Sequence, residues 1–218
     1  MKKLLATMLM SGIIFAGQIS ANAVNNVLPR YVNYTNIHSL GVYEVNDRII
    51  LYKEPNETSA IVMSYIISKS GIFPENTREE DLFAVFIPKK ELALMTVVDE
   101  NEDWVQVVYD NKTGASAWLK KDDPYKFMTW IHFYNMYGRK YGLYQLKDTP
   151  NHINTMRSAA KEDSQSVGEL NHPEKINLNV INGNWALVSV KDLDRMPKTG
   201  FVRWRADNGI RYFFPDIK

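Results

Sequence analysis

Two clusters of carboxylates are the groups in this sequence that are best suited to acid–base or metal chemistry. One is the run Glu79-Glu80-Asp81, and the other combines Asp99-Glu100 with Glu102-Asp103. Neighbouring carboxylates can divide the roles of general acid and general base, or bind a calcium ion. Neither cluster follows the twelve-residue calcium-loop pattern, and adjacent acidic residues on a turn are usually solvated. We therefore predict no catalytic residue and no metal site, with a small hydrolase that uses these carboxylates as the alternative.

The remaining reactive side chains do not form a recognisable site. Cysteine is absent, which excludes disulfides, thiolate ligands, cysteine nucleophiles and a lipid-modified N-terminal cysteine. No serine-hydrolase elbow, zinc-protease helix, phosphate loop or dinucleotide fingerprint occurs. The sequence thus predicts no enzyme and no cofactor. The histidines are scattered, without a pair at metal-ligand spacing: His38, His132, His152 and His172.

An aromatic residue between two arginines near the C-terminus is a candidate for ligand binding. If Val202 and Trp204 face inward, strand alternation turns Phe201, Arg203 and Arg205 outward together. A ring between guanidinium groups offers a surface for stacking and for pairing with anions. The alternative is a solvated strand face whose arginines pair with acidic residues of the other half of the chain, and both interpretations stay open at this point.

The elements that position these residues are mostly short strands separated by turn-forming residues. Turns such as Asn182-Gly183 and Asn208-Gly209 supply the backbone conformations that tight connections need. Many short strands of this kind predict an all-β fold of the barrel or sandwich class. The predicted strands are Val42–Val45, Ile49–Tyr52, Leu82–Ile87, Leu92–Val98, Trp104–Tyr109, Ile176–Ile181, Trp185–Val190, Gly200–Trp204 and Arg211–Phe214.

One segment predicts a helix instead. Asp122-Asp123-Pro124 supplies an N-cap and a proline suited to a first turn, and the helix is predicted over residues 123–138. Its aromatic stripe predicts either a linker helix packed against a β-domain, which we favour, or a platform for a membrane surface or a glycan. The residues of the stripe are Phe127, Trp130, Ile131, Tyr134 and Tyr137.

The sequence on one side of the predicted helix repeats features of the other side. Leu51-Tyr52-Lys53 corresponds to Leu143-Tyr144-Gln145, and Asp103-Trp104-Val105 corresponds to Asn184-Trp185-Ala186. The offsets are 92 and 81 residues, so we infer a duplication with loop insertions and not a strict repeat. The predicted domains are residues 41–122 and 139–218.

These motifs resemble the bacterial SH3-like (SH3b) domains. A turn followed by tryptophan and alternating aliphatic residues matches the central element of that family, at Asp103 to Val107 and again at Asn184 to Val190. Gly200-Phe201-Val202 resembles the last element. The resemblance implies two small SH3-like barrels joined by an amphipathic linker helix.

The same resemblance implies a ligand class, and we add a groove as our own prediction. The ligand would be peptidoglycan, its peptide stems, or an extended peptide of a partner protein. We expect ligand-binding residues in both copies, Tyr144, Phe201, Arg203 and Arg205 in the second and Tyr52 and Trp118 in the first. The expected function is a non-enzymatic binding or scaffolding module at the cell envelope, with an envelope hydrolase or a purely structural protein–protein adaptor as alternatives.

The first 23 residues have the layout of a cleavable secretory signal peptide. Lys2 and Lys3 precede the apolar run Leu4–Gly17, and Ala21-Asn22-Ala23 follows as a cleavage signal. The run is shorter than the roughly 20 residues of a membrane-spanning helix. We expect an exported protein, periplasmic or secreted, without a transmembrane segment after cleavage and with an N-terminal segment over residues 24–40.

The formal net charge of +1 conceals two halves of opposite charge. Residues 24–124 contain 10 basic and 16 acidic side chains, whereas residues 125–218 contain 14 basic and 9 acidic ones. The near-neutral total argues against nucleic acid as a partner. The halves would attract each other, the basic half would face an anionic partner such as a cell-wall polymer or a lipid headgroup, or both would hold. The sequence leaves the oligomeric state open.

Overall fold

The computed structural model describes residues 26–69, 71–74, 77–170, 175–191 and 197–218. The predicted signal peptide lies outside the described residues. The chain is mainly β and forms two antiparallel sheets. Its strands are β1 Gly41–Glu44, β2 Arg48–Tyr52, β3 Ile61–Ser68, β4 Gly71–Phe73, β5 Val85–Ile87, β6 Leu92–Glu100, β7 Trp104–Asp110, β8 Ala115–Lys120, β9 Phe127–Thr129, β10 Leu143–Gln145, β11 Thr155–Arg157, β12 Ser166–Glu169, β13 Ile176–Asn182, β14 Trp185–Lys191, β15 Pro197–Arg203 and β16 Phe213–Pro215.

The helical elements are short. Three α-helices are present in the described residues, and 3-10 turns occur at Pro88–Lys90, Pro124–Lys126 and Asn151–Asn154. The predicted strand Leu82–Ile87 is partly wrong, because Leu82 ends a helix and the strand begins only at Val85. The α-helices are α1 Glu79–Leu82, α2 Trp130–Phe133 and α3 Arg139–Tyr141.

The first sheet has the strand order β4-β3-β2-β8-β7-β6-β1-β9, with β5 paired to β6. The hairpin between β6 and β7 is closed by Asn101, whose Oδ1 accepts hydrogen bonds from the backbone N–H groups of Asp103 and Trp104. Strand β7 then directs Val105 and Val107 into a buried cluster. The turn chemistry of the sequence therefore sets the register of this hairpin.

The second sheet has the order β12-β11-β15-β14-β13-β10-β16. A β-bridge between Arg205 and Arg211 joins the chain just after β15 to the chain just before β16. Val202 and Trp204 are fully buried, whereas Phe201 is half-buried. The predicted inward and outward alternation along this strand is thus confirmed.

The helical segment, residues 130–141, begins later than the sequence predicts. Asp123 does act as a cap, since its Oδ1 accepts from Tyr125 N at 2.9 Å, but only a 3-10 turn follows. Residues 127–129 then pair with β1, which removes them from any helix. The helix begins at Trp130, where Thr129 Oγ1 accepts from His132 N, and its centre is the π-helical turn Tyr134–Gly138.

The helical segment packs between the two sheets. Trp130, Phe133 and Tyr134 are buried and belong to one hydrophobic cluster with side chains of both sheets, such as Leu94 and Val188. Of the predicted stripe, Trp130 and Tyr134 are therefore core, and the alternative of an exposed platform is wrong for these two rings. Phe127 and Tyr137 are half-buried, and Ile131 is exposed. The buried residues of a second cluster all come from the chain before the helical segment.

The described part of the N-terminal segment, residues 26–40, contacts the chain on both sides of the helical segment. Val27 forms a β-bridge with Phe86 of the first sheet, and Tyr31 forms one with Lys147, which follows β10 of the second. Ile37 packs so closely against Gly209 that a Cβ atom there would lie 2.0 Å from Ile37 O. The halves are thus connected by this segment as well as by the shared core.

Candidate functional site

Arg203, a predicted ligand-binding residue, is already engaged by acidic residues of its own half. Its guanidinium forms ion pairs with Glu162 and with Asp207, and its Cζ lies 5.8 Å from the centre of the Trp185 ring. Of the ion pairs that join described residues, only Lys126–Asp122 crosses from one half of the chain to the other. The described residues therefore do not show the alternative interpretation, in which the arginines pair with acidic residues of the opposite half.

The remaining predicted residues of the second half lie in different parts of the sheet. Arg205 Nε donates to Asn184 Oδ1 at 2.8 Å, and its guanidinium lies over Trp204. The strand of Tyr144, β10, is separated in the sheet order from that of Phe201, β15, by β13 and β14. Tyr144 Oη instead donates to Pro29 O and so fixes the N-terminal segment. Burial raises the pKa of the Tyr144 phenol, which keeps it protonated as a donor.

The predicted residues of the first half lie side by side. Tyr52 and Trp118 are cross-strand partners on β2 and β8, and both are half-buried. The Tyr52 ring also meets Trp104 edge-to-face, with 5.5 Å between the ring centres. Tyr52 therefore lies next to both tryptophans, although Trp104 itself is buried.

The acidic clusters are held in ion pairs. Glu80 pairs with Arg78 at 2.7 Å, Asp81 pairs with Lys112 at 3.0 Å, and Glu100 pairs with Lys121. Among the described residues, no group of three or more histidine, cysteine or carboxylate side chains could hold a metal ion.

A cavity lies where the N-terminal segment packs against the rest of the chain. This central cavity has a volume of about 910 Å³ and is lined by residues 26–36 together with side chains from both halves. Phe83 and Ala84 contribute from the first half, and Trp130, Leu146 and Phe214 form the wall toward the second. Its size and mixed lining are typical of ligand pockets.

Arg211 places a buried cation in the lining of the central cavity. The side chain is buried, and its Nη1 donates to Ser39 Oγ at 3.1 Å while the guanidinium lies over the Trp130 ring. Burial lowers the pKa of Arg211 to about 10, helped by the nearby Arg205, so the group remains a cation at neutral pH. The described part of the chain contains no carboxylate paired with it.

Comparison of the sequence with known protein families gives no match. No curated protein matches it either. Within the described residues, no helix has the length and apolar content that crossing a bilayer requires.

The sequence patterns did not identify the cavity residues. The sequence places Arg211 in a predicted strand. The charged residue that opens the run Arg211-Tyr212-Phe213-Phe214 is a usable signal, because a buried strand rarely carries an unpaired cation. Asn36 offered no such signal. It lies in a polar stretch, and only the fold brings it to the same cavity.

Proposed function

We propose that this chain is an exported, non-enzymatic binding or scaffolding protein of the bacterial cell envelope. In this proposal, two SH3-like β-barrels joined by the helical segment hold an extended peptide, either a peptidoglycan stem or a segment of a partner protein. The observation that carries the proposal is the central cavity. Its walls combine aromatic side chains with cationic ones, and it is large enough for several residues of an extended chain.

Aromatic residues at the rim of the cavity support this proposal. Tyr34 lines the cavity but leaves 58% of its surface exposed, and Tyr31 is 54% exposed beside Lys147, whose ammonium lies 5.3 Å from its ring centre. Exposed tyrosines around a concave site are common where peptides bind, because one end of the ring is apolar and the other is polar.

Sedimentation with insoluble purified peptidoglycan tests the proposal. We expect the protein to co-sediment, soluble stem peptides to release it, and retention to weaken at high salt. Tyr34→Ala should reduce retention several-fold, whereas Tyr125→Ala, which removes a 91% exposed tyrosine outside the cavity lining, should not. Failure to retain the protein on wall material, together with no binding of stem or linear peptides, would contradict the proposal.

A further inference from the structure

Arg211 carries more hydrogen-bond donors than its surroundings use. A guanidinium presents five N–H donors in a planar fork. Among the described residues, that of Arg211 donates one hydrogen bond, to Ser39 Oγ, and it has no ion pair. Burying a cation without a counter-charge is costly, so the arrangement is suited to an anion that arrives from the cavity.

Asn36 places a second unused donor on the same wall. Its side chain is 5% exposed and lines the central cavity, and its Nδ2 has no hydrogen-bond partner among the described residues. The turn that holds it is fixed, because Ser39 Oγ donates to Asn36 O at 2.7 Å while accepting from Arg211. Ser39 thus connects the backbone of Asn36 to the guanidinium of Arg211.

Most of the other charged side chains of the lining have the same sign as Arg211. Arg30, Arg78 and Lys112 contribute further cations, whereas the described lining contains one carboxylate, that of Glu80. Glu80 accepts two hydrogen bonds from Arg78. The carboxylate of the lining is therefore engaged by another arginine.

We propose that Arg211 and Asn36 bind the carboxylate of an extended peptide in the central cavity, an inference that rests on the proposed binding function. The two oxygens of a carboxylate match the planar fork of a guanidinium, and its single negative charge balances the single buried cation. The adjoining peptide side chains would contact Tyr31 and Tyr34, the exposed aromatic residues of the lining. The shared chemistry of the ligand is a carboxylate on an extended chain, whether that chain is a wall stem or the end of a protein.

Calorimetric titration with paired peptides tests this inference. The probes are stem peptides released from purified peptidoglycan and a linear peptide of four L-alanines, each with its carboxylates free and with them amidated. We expect the free-acid form of one peptide to bind roughly thirtyfold more tightly than its amide. The peptide that shows this preference identifies the source of the carboxylate.

Two variants assign the preference to the proposed donors. Arg211→Met should abolish the difference between acid and amide, with circular dichroism showing that the variant is folded. Asn36→Leu, which removes no ion pair, should weaken the acid form about tenfold. Asn179→Leu, at an exposed position outside the cavity lining, is the matched control and should bind as the wild type does.

The outcomes separate this inference from the proposed function. Equal affinity of acid and amide, with the protein still retained on wall material, would overturn carboxylate recognition and leave the binding function standing. A full acid preference retained in both Arg211→Met and Asn36→Leu would also overturn it. Binding of neither peptides nor wall material would overturn both.

Discussion

The guanidinium of Arg211 lies over the indole of Trp130, with 4.0 Å between Arg211 Cζ and the ring centre. Trp130 Nε1 in turn donates to Ser39 O and to Ser39 Oγ, each at 3.1 Å. The N-terminal segment, the start of the helical segment and the strand region before β16 therefore meet in one buried polar cluster. This cluster forms the wall of the central cavity on which the proposals depend.

Ser39→Ala should destabilise the folded chain. The substitution removes the one hydrogen bond that Arg211 makes with its guanidinium among the described residues, while Trp130 keeps Ser39 O as an acceptor. We expect the free energy of unfolding to fall by about 1–3 kcal/mol, measured by urea denaturation. Ser116→Ala, which removes a half-buried partner of Gln106, is the control. Equal losses in both variants would argue against a special role for Ser39.

Gly209→Ala should loosen the contact between the second half and the N-terminal segment. Gly209 has φ +94°, and a Cβ atom would lie 2.0 Å from Ile37 O. Gly183 also has a positive φ, +58°, but nothing lies within 4 Å of a Cβ there. Gly183→Ala should cost about 1 kcal/mol of unfolding free energy for the left-handed backbone alone.

Because of the clash, Gly209→Ala should lose more unfolding free energy than Gly183→Ala. The N-terminal segment should be cleaved faster by protease in Gly209→Ala only. Limited proteolysis with mass spectrometry, beside urea denaturation, measures both effects. Two variants of equal stability and equal protease sensitivity would show that the Ile37 contact does not hold the segment.

Arg203→Met should lower stability and leave peptide affinity unchanged. Arg203 pairs with Glu162 and Asp207 and lies over Trp185, so its loss should cost about 1 kcal/mol in thermal or urea unfolding. Arg48→Met, at an exposed arginine of β2, should change stability by less than about 0.5 kcal/mol. Weakened peptide binding without a loss of stability would instead favour the site predicted from the sequence.

At low pH, the stability of the folded chain should depend on the protonation of the Asp122 carboxyl group. Burial alone would raise the pKa of Asp122, but hydrogen bonds from Lys126 and Tyr43 hold it below its ordinary value. A carboxyl group with a lowered pKa stabilises the fold above its unfolded-state pKa, and this contribution is lost as the pH falls through the folded-state pKa.

Asp122→Asn should therefore lose less stability than the wild type between about pH 5 and about pH 3. Urea midpoints at several pH values measure this difference. Asp47→Asn, at an exposed carboxylate without a side-chain partner among the described residues, should follow the wild-type profile. An Asp122→Asn profile that matches the wild type would contradict the assignment.

Local sequence patterns determined those features of the strands that depend only on residues close together in the chain. The alternation at Val202 and Trp204 and the turn at Asn101 follow from the two-residue period of a strand and from side-chain hydrogen bonds to nearby backbone. The start of the helix was not determined in this way, because the pairing of residues 127–129 with β1 is a long-range contact that outweighs the cap at Asp123.

The candidate site was decided by tertiary structure alone. Asn36 and Arg211 stand at opposite ends of the chain, and no spacing rule connects them. The composition shows that the chain contains aromatic and cationic residues. The near-neutral total charge does not show that one of the cations is buried. The donors of Asn36 and Arg211 reach one cavity only through the packing of the N-terminal segment. That packing depends on long-range contacts, such as Ser39 with Trp130 and Ile37 with Gly209, which local sequence patterns do not predict.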